Sequence, residues 1–336
     1  MKLLTLVTTL AVWIVPSAVA QSAARDTLLV VVNRAPESVS IYKTEASSLT
    51  LVKTIPTGKA PREVCIAPDG RRAYVTNQGG ASVTVVDLDS ATVVATITNP
   101  ELKAPDGCVV SPDSRKLYVA ASGKDSVFVI ATETNHVVKE IPAPLKVLRR
   151  VTFSPDATKL YLTSNQTPEI AVLDPKTDTF VRSIKVGNEN RGGLAFSPDG
   201  KTMVSGSVED DTLYYIDAAT EQTRRIIGVP GSPQRIEISP ANHIFVLCRI
   251  GGRTPDHTYR PVLFGIFDSE KHDKSISLPV GQSPWGLAMT RDGKTLYVSS
   301  NSDNHIMIVD ADTMKVLSTV PTEKDPNGIA LRHGGH

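Results

Sequence analysis

The sequence predicts an all-β fold, a seven-bladed β-propeller with four antiparallel strands per blade, and three observations lead there. A phrase ending in a turn signal, Pro-Asp-Gly or a variant of it, recurs seven times. Each copy carries short β-branched runs with no sustained helical period, and the seventh copy is split between the two ends of the chain.

The first strand of each repeat, strand A, leads into the turn. It reads APREVCIAPDG up to Gly70, APDGCVVSPDS up to Ser114, KVLRRVTFSPDA up to Ala157 and RGGLAFSPDG up to Gly200. The phrase continues as SPQRIEISPAN up to Asn242, SPWGLAMTRDG up to Gly293 and DPNGIALRHGG up to Gly335. Aligned on Pro68, Pro112, Pro155, Pro198, Pro240, Arg291 and His333, neighbouring copies lie 42 to 44 residues apart, with one step of 51. Strand B follows the turn with phrases such as AYVTN, KLYVAA and TLYVSSN. Strand C comes next as SVTVVD, SVFVIA or HIMIVD, and strand D closes the unit as VVATI or VLSTV. Near-continuous apolar runs of this length suit sheets buried on both faces.

The seventh copy ends after strand A, and its missing strands stand at the start of the chain: TLLVVVN from Thr27, SVSIYK from Ser38 and LTLVKTI from Leu49. A linear stack has no reason to divide one unit between its ends. A ring does, because pairing the last strand with the first closes the circle and leaves only short outer edges.

Residues 1–20 are expected to be a signal peptide. Lys2 precedes an apolar stretch from Leu3 to Val15, and Ala18-Val19-Ala20 is a small-x-small cleavage signature. Residues 21–336 then form a single propeller domain, periplasmic or secreted, with no membrane span and a monomeric state expected. A formal net charge of +1 does not imply nucleic acid as a partner. The three cysteines, Cys65, Cys108 and Cys248, allow one bridge at most and are expected to behave chiefly as small buried hydrophobes.

Repeats with YVTN after an SPDG turn resemble the YVTN family of seven-bladed β-propeller proteins, and the resemblance covers residues 27 to 335. Related propellers include lactonase-type enzymes, the haem d1 domain of nitrite reductases and proteins that accompany quinone-dependent oxidation. The resemblance implies the fold and leaves function open among these roles.

In such a ring, the starts of the seven strands A share one rim with the B-to-C turns. In register they read Arg62-Glu63, Asp106-Gly107, Arg149-Arg150, Gly192-Gly193, Gln234-Arg235, Trp285-Gly286 and Asn327-Gly328, with Arg191 one step earlier. Four blades thus bring arginine to one mouth, where guanidinium groups would hold a carboxylate, a phosphate or an acidic protein surface. The alternative is that Arg62 and Arg149 or Arg150 pair with Glu63 and Asp106 and seal the channel. Trp285 is expected either to stack on a ligand or to plug the channel. The long step falls in the B-to-C connection of blade 5, RIGGRTPDHTYRP from Arg249 to Pro261, whose Arg253 and His257 are expected to lie over the mouth as a lid or contact loop.

Catalytic signatures are sparse. There is no His-Glu-x-x-His, Cys-x-x-Cys, Gly-x-Ser-x-Gly or glycine-rich phosphate loop. The acids of VEDD, Val208 to Asp211, read as a turn rather than a cation site, and the aspartates ending strand C, among them Asp87, Asp174, Asp217, Asp268 and Asp310, read as turn formers. His333 and His336 in the tail would need a third ligand to hold copper or zinc, so no metal and no cofactor is expected. The favoured function is a ligand- or protein-binding platform. The alternatives are a lactonase-type hydrolase with Glu63 as its tentative base, and an accessory protein of a redox or quinone-cofactor pathway.

Overall fold

The computed structural model describes residues 27–187, 191–249, 261–267 and 274–333. The expected signal peptide, Arg253, His257, Asp268 and His336 lie outside them. Among the described residues there are 28 strands and no helix. Strands β1 (Leu28–Asn33), β2 (Ser38–Glu45) and β3 (Ser48–Pro56) form one sheet with the last strand, β28 (Pro326–Arg332), in the order β28-β1-β2-β3. The ring therefore closes between the two ends of the chain. Strands β4 to β27 build the other six blades, each from four consecutive antiparallel strands.

The innermost strands are the predicted strands A: β4 (Pro61–Ile66), β8 (Pro105–Val110), β12 (Leu148–Phe153), β16 (Arg191–Phe196), β20 (Ser232–Ile238), β24 (Pro284–Met289) and β28. Seven hydrophobic clusters hold the ring together, one between each pair of neighbouring blades; the one containing Val30, Ile41, Val75 and Val86 joins the closing blade to the blade of β4–β7. The Tyr of the recurring strand B, as Tyr74, Tyr118, Tyr161 and Tyr297, is among the largest fully buried side chains.

The turns repeat in atomic detail. Ser111 donates to Asp113 (2.6 Å), whose carboxylate accepts from the Arg115 amide, and Ser154, Ser197 and Thr290 make the equivalent bond to Asp156, Asp199 and Asp292. Asp87, Asp174, Asp217 and Asp310 each accept backbone N–H groups two or three residues on, as expected of turn formers. Asp211 of the VEDD stretch has positive φ, as do Asp125 and Asn304 at the same place in their blades, so this is a recurrent turn.

Two features of strand A set up the channel mouth. First, the pairing of strand A with strand B is interrupted near its start in every blade, for instance between Pro61 and Glu63, Leu148 and Arg150, and Pro233 and Arg235. A bulge of this kind re-aims the side chains beside it. Second, a strand-B hydroxyl bridges neighbouring blades. Thr76 accepts from the Glu63 amide (3.1 Å) and donates to the Asp106 carbonyl of the next blade (2.8 Å), while Ser299 serves Gly286 and Asn327 in the same way.

The cysteines depart from expectation. Cys65 on β4 and Cys108 on β8 form a disulfide between the innermost strands of blades 1 and 2, and only Cys248 remains a fully buried free thiol. Relative to the tip prolines Pro68 and Pro112, the two partners are offset by one residue. Side chains alternate faces along a strand, so this offset turns Cys65 toward blade 2 and Cys108 toward blade 1.

Candidate functional site

Seven innermost strands converge on one mouth, and the re-aimed starts of four of them meet across it. Glu63 of β4, 4% exposed, is the centre. Arg150 of β12 donates to its Oε1 (2.9 Å), Arg235 of β20 reaches both carboxylate oxygens (2.6 Å each), and the Trp285 indole N–H of β24 donates to Oε1 (3.1 Å). Blades 1, 3 and 5 are not neighbours in the ring, so these bonds span the channel. Glycines at the same register, Gly107, Gly193, Gly286 and Gly328, leave the room. A Cβ at Gly328 would come within 2.8 Å of the Glu63 carboxylate.

A second carboxylate, Asp106 of β8, receives a hydrogen bond from Arg149 (2.6 Å) and lies 3.7 Å from the Nε of Arg62. Both Arg62 Nε and Asp106 Oδ1 are buried without a hydrogen bond. Arg62 instead lies over the Trp285 ring, 4.1 Å from its centroid, with Arg149 and Arg249 each at 5.4 Å. Such cation–π contacts suit a guanidinium shielded from water.

Four guanidinium groups thus share two carboxylates, and the electrostatics follow. Burial by itself would raise the proton affinity of Glu63, but Arg235 and Arg150 outweigh it and hold the carboxyl far below the usual carboxylate range. Burial lowers Arg62 to about 10, Asp106 opposing and Arg149 reinforcing, and burial also lowers Arg149 and Arg235. Two residues beyond Arg235, Glu237 is raised to about 7 by burial, which Arg235 only partly offsets. Glu237 itself is half-buried.

Of the residues singled out from the sequence, Arg62, Glu63, Arg149, Arg150, Arg235 and Trp285 are brought together. They meet as ion pairs, the alternative the register left open. The Trp285 ring is not a free stacking surface, since Arg62 covers it and its N–H is engaged by Glu63. Arg191 begins β16, pairing with Ser207 through the backbone. Arg249, which sequence reasoning passed over, ends strand B of blade 5, where the other blades place Asn33, Asn77, Ala121, Ser164, Ser207 and Ser300. A lone arginine in that series was the available signal. His333 lies near Arg291 and Asp292, at the tip turn on the rim opposite the mouth. Among the described residues no innermost strand carries a histidine, and no group of His, Cys, Asp and Glu could hold a metal ion.

A family model described as "Lactonase, 7-bladed beta-propeller" matches residues 14–111. Hydrazine synthase of Kuenenia stuttgartiensis is 24% identical with a TM-score of 0.73, over 80% of this chain and 88% of that one. What is shared is the β-propeller fold, seven-bladed in this chain. A putative 6-phosphogluconolactonase from Bacteroides fragilis is similar to this propeller with a TM-score of 0.73 at 14% identity, covering 91% of this chain and 98% of that one. Dihydro-heme d1 dehydrogenase NirN is similar with a TM-score of 0.66 at 18% identity, covering 90% of this chain and 74% of that one. No curated protein matches the propeller.

Proposed function

We propose that the protein is an exported binding platform that captures a small anionic molecule at the channel mouth. One observation carries this reading. Arg62 is a partly buried guanidinium, with its Nε fully enclosed, stacked on Trp285 and making no hydrogen bond among the described residues, in a cluster where two carboxylates serve four arginines. A desolvated cation with unused donors favours a carboxylate or phosphate able to accept two parallel N–H bonds. The enclosure of these side chains favours a small molecule over the flat acidic surface of a protein. Export is supported by the Cys65–Cys108 disulfide, since such bonds persist in oxidising compartments.

The test is titration of the mature protein with succinate and with phosphate, followed by Trp285 fluorescence. Saturable binding should weaken at least tenfold in Arg62→Ala and fall as salt is raised, because screening acts on the charge term. Equal binding by wild type and Arg62→Ala overturns the reading.

The lactonase-family match over residues 14–111 favours hydrolysis of a lactone as a second reading. Glu63 serves it poorly, because a carboxylate held ionised by two guanidinium groups accepts a proton reluctantly from attacking water. Release of acid from simple lactones, lost in Glu63→Gln, would establish hydrolysis. A redox accessory role finds only fold-level support, in the likeness to NirN.

A further inference from the structure

Glu237 is a half-buried carboxyl that the anion-binding reading does not use. It stands on β20 two residues beyond Arg235, on the same face of the strand, so their backbones lie roughly 7 Å apart. At its register the other six innermost strands present Cys65, Val109, Thr152, Ala195, Ala288 and Ala330. One step further along come Ile66, Val110, Phe153, Phe196, Ile238, Met289 and Leu331. None of these titrates, Cys65 being in the disulfide. Across the sheet Glu237 pairs with Phe245, and the alternation that brings Cys65 to Cys108 sets it opposite Leu287 of blade 6. Among the described residues Arg235 is therefore the one charged group that acts on it directly, and beyond Arg235 stand Glu63 and Arg150. Among the described residues Glu237 makes no hydrogen bond or ion pair, while Arg235 is committed to Glu63 and to the Trp285 carbonyl.

The geometry points to Glu237 as a proton site coupled to the mouth: an anion that binds there is taken up together with a proton on Glu237. The inference rests on the anion-binding reading and names its regulation. The physical reason is repulsion between like charges. An anion held at the mouth and an ionised Glu237 repel each other along one channel, so the channel holds the anion better once Glu237 is neutral. Its proton affinity, lifted to about 7, places the exchange near neutrality.

Sulfate is the probe, because its own charge is constant from pH 6 to pH 8. Sulfate affinity of wild type should fall about tenfold over that interval, following the neutral fraction of Glu237. In Glu237→Gln the affinity should stay at the pH 6 value throughout. On the wild-type protein alone, which guards against a variant that fails to fold, the carboxyl carbon of Glu237 should titrate at higher pH with sulfate than without it. Sulfate binding that is independent of pH in wild type, that keeps its pH dependence in Glu237→Gln, or that leaves the Glu237 titration unmoved overturns the coupling alone and leaves anion binding standing. No sulfate binding at either pH overturns both.

Discussion

Glu63 and Arg235, 172 residues apart in sequence, meet across the central channel through two hydrogen bonds of 2.6 Å. Arg150 and the Trp285 indole complete the carboxylate's partners, so four blades are tied at a single group. The ring is thus braced at its axis by charge as well as between its blades by apolar packing.

Removing that carboxylate should be costly. Glu63→Gln leaves the buried guanidinium groups of Arg150 and Arg235 without a counter-charge, and breaking a buried pair from one side costs about 3–5 kcal/mol. Urea denaturation should show a loss of that size. A Glu63→Met/Arg235→Met double variant should lose less than the sum of the two single changes, since the residues act on each other.

The two channel carboxyls should pull stability in opposite directions with pH. Glu63 has a folded-state affinity below its ordinary 4.5, so its contribution is present above pH 4.5 and is lost as pH falls. Glu237 rises from 4.5 to about 7, so the folded state holds its proton longer than the unfolded chain does. Its contribution is present below pH 4.5 and is lost as pH rises through 7, on the order of 3 kcal/mol in all. Glu237→Gln should therefore be more stable than wild type at pH 8 and nearly equal to it at pH 4.5, as read by urea denaturation at both values in a buffer free of binding anions.

These carboxyls also mark what the sequence could and could not show. The ring, its seven blades and the gathering of Arg62, Arg150 and Arg235 at one mouth were legible, because each copy repeats the same turn and strand phrase and register then fixes the face. Which arginine reaches which carboxylate across the channel was not. Arg150 and Arg235 reach Glu63 from blades that do not adjoin its own, and no repeat encodes a contact between unlike copies. The disulfide escaped for a subtler reason: Cys65 and Cys108 differ by one position in the alignment, and that difference is what turns them toward each other between blades. Arg249 escaped because it belongs to strand B, while attention to strand A alone defined the mouth.

The disulfide should matter to stability more than to the site. It closes a loop with a sequence separation of 43 between the first two innermost strands. In the chain-entropy picture a loop of that length contributes about 4 kcal/mol by restricting the unfolded chain. Cys65→Ala/Cys108→Ala should lower the urea midpoint accordingly, while dithiothreitol leaves that variant unchanged and lowers the midpoint of wild type. Cys248, whose thiol burial pushes well above the ordinary range, should resist alkylation in the folded protein.

The tip turns offer a test of backbone strain with an internal control. The same tip position carries Gly70, Gly200 and Gly293 in three blades, and Ser114, Ala157 and Asn242 in three others, all with φ between 58° and 73°. An alanine in that left-handed region costs roughly 1–2 kcal/mol that glycine does not pay, whereas glycine returns about 0.4–1 kcal/mol to the unfolded chain through its greater freedom. Ala157→Gly should therefore stabilise the protein by about 0.5–1 kcal/mol. Gly200→Ala should destabilise it by a similar amount, since the added Cβ would meet Pro155 at an ordinary 3.5 Å and only the backbone resists. Denaturation of the two variants side by side decides the matter: shifts of the same sign would show that contacts at the tips, and not φ, set their stability.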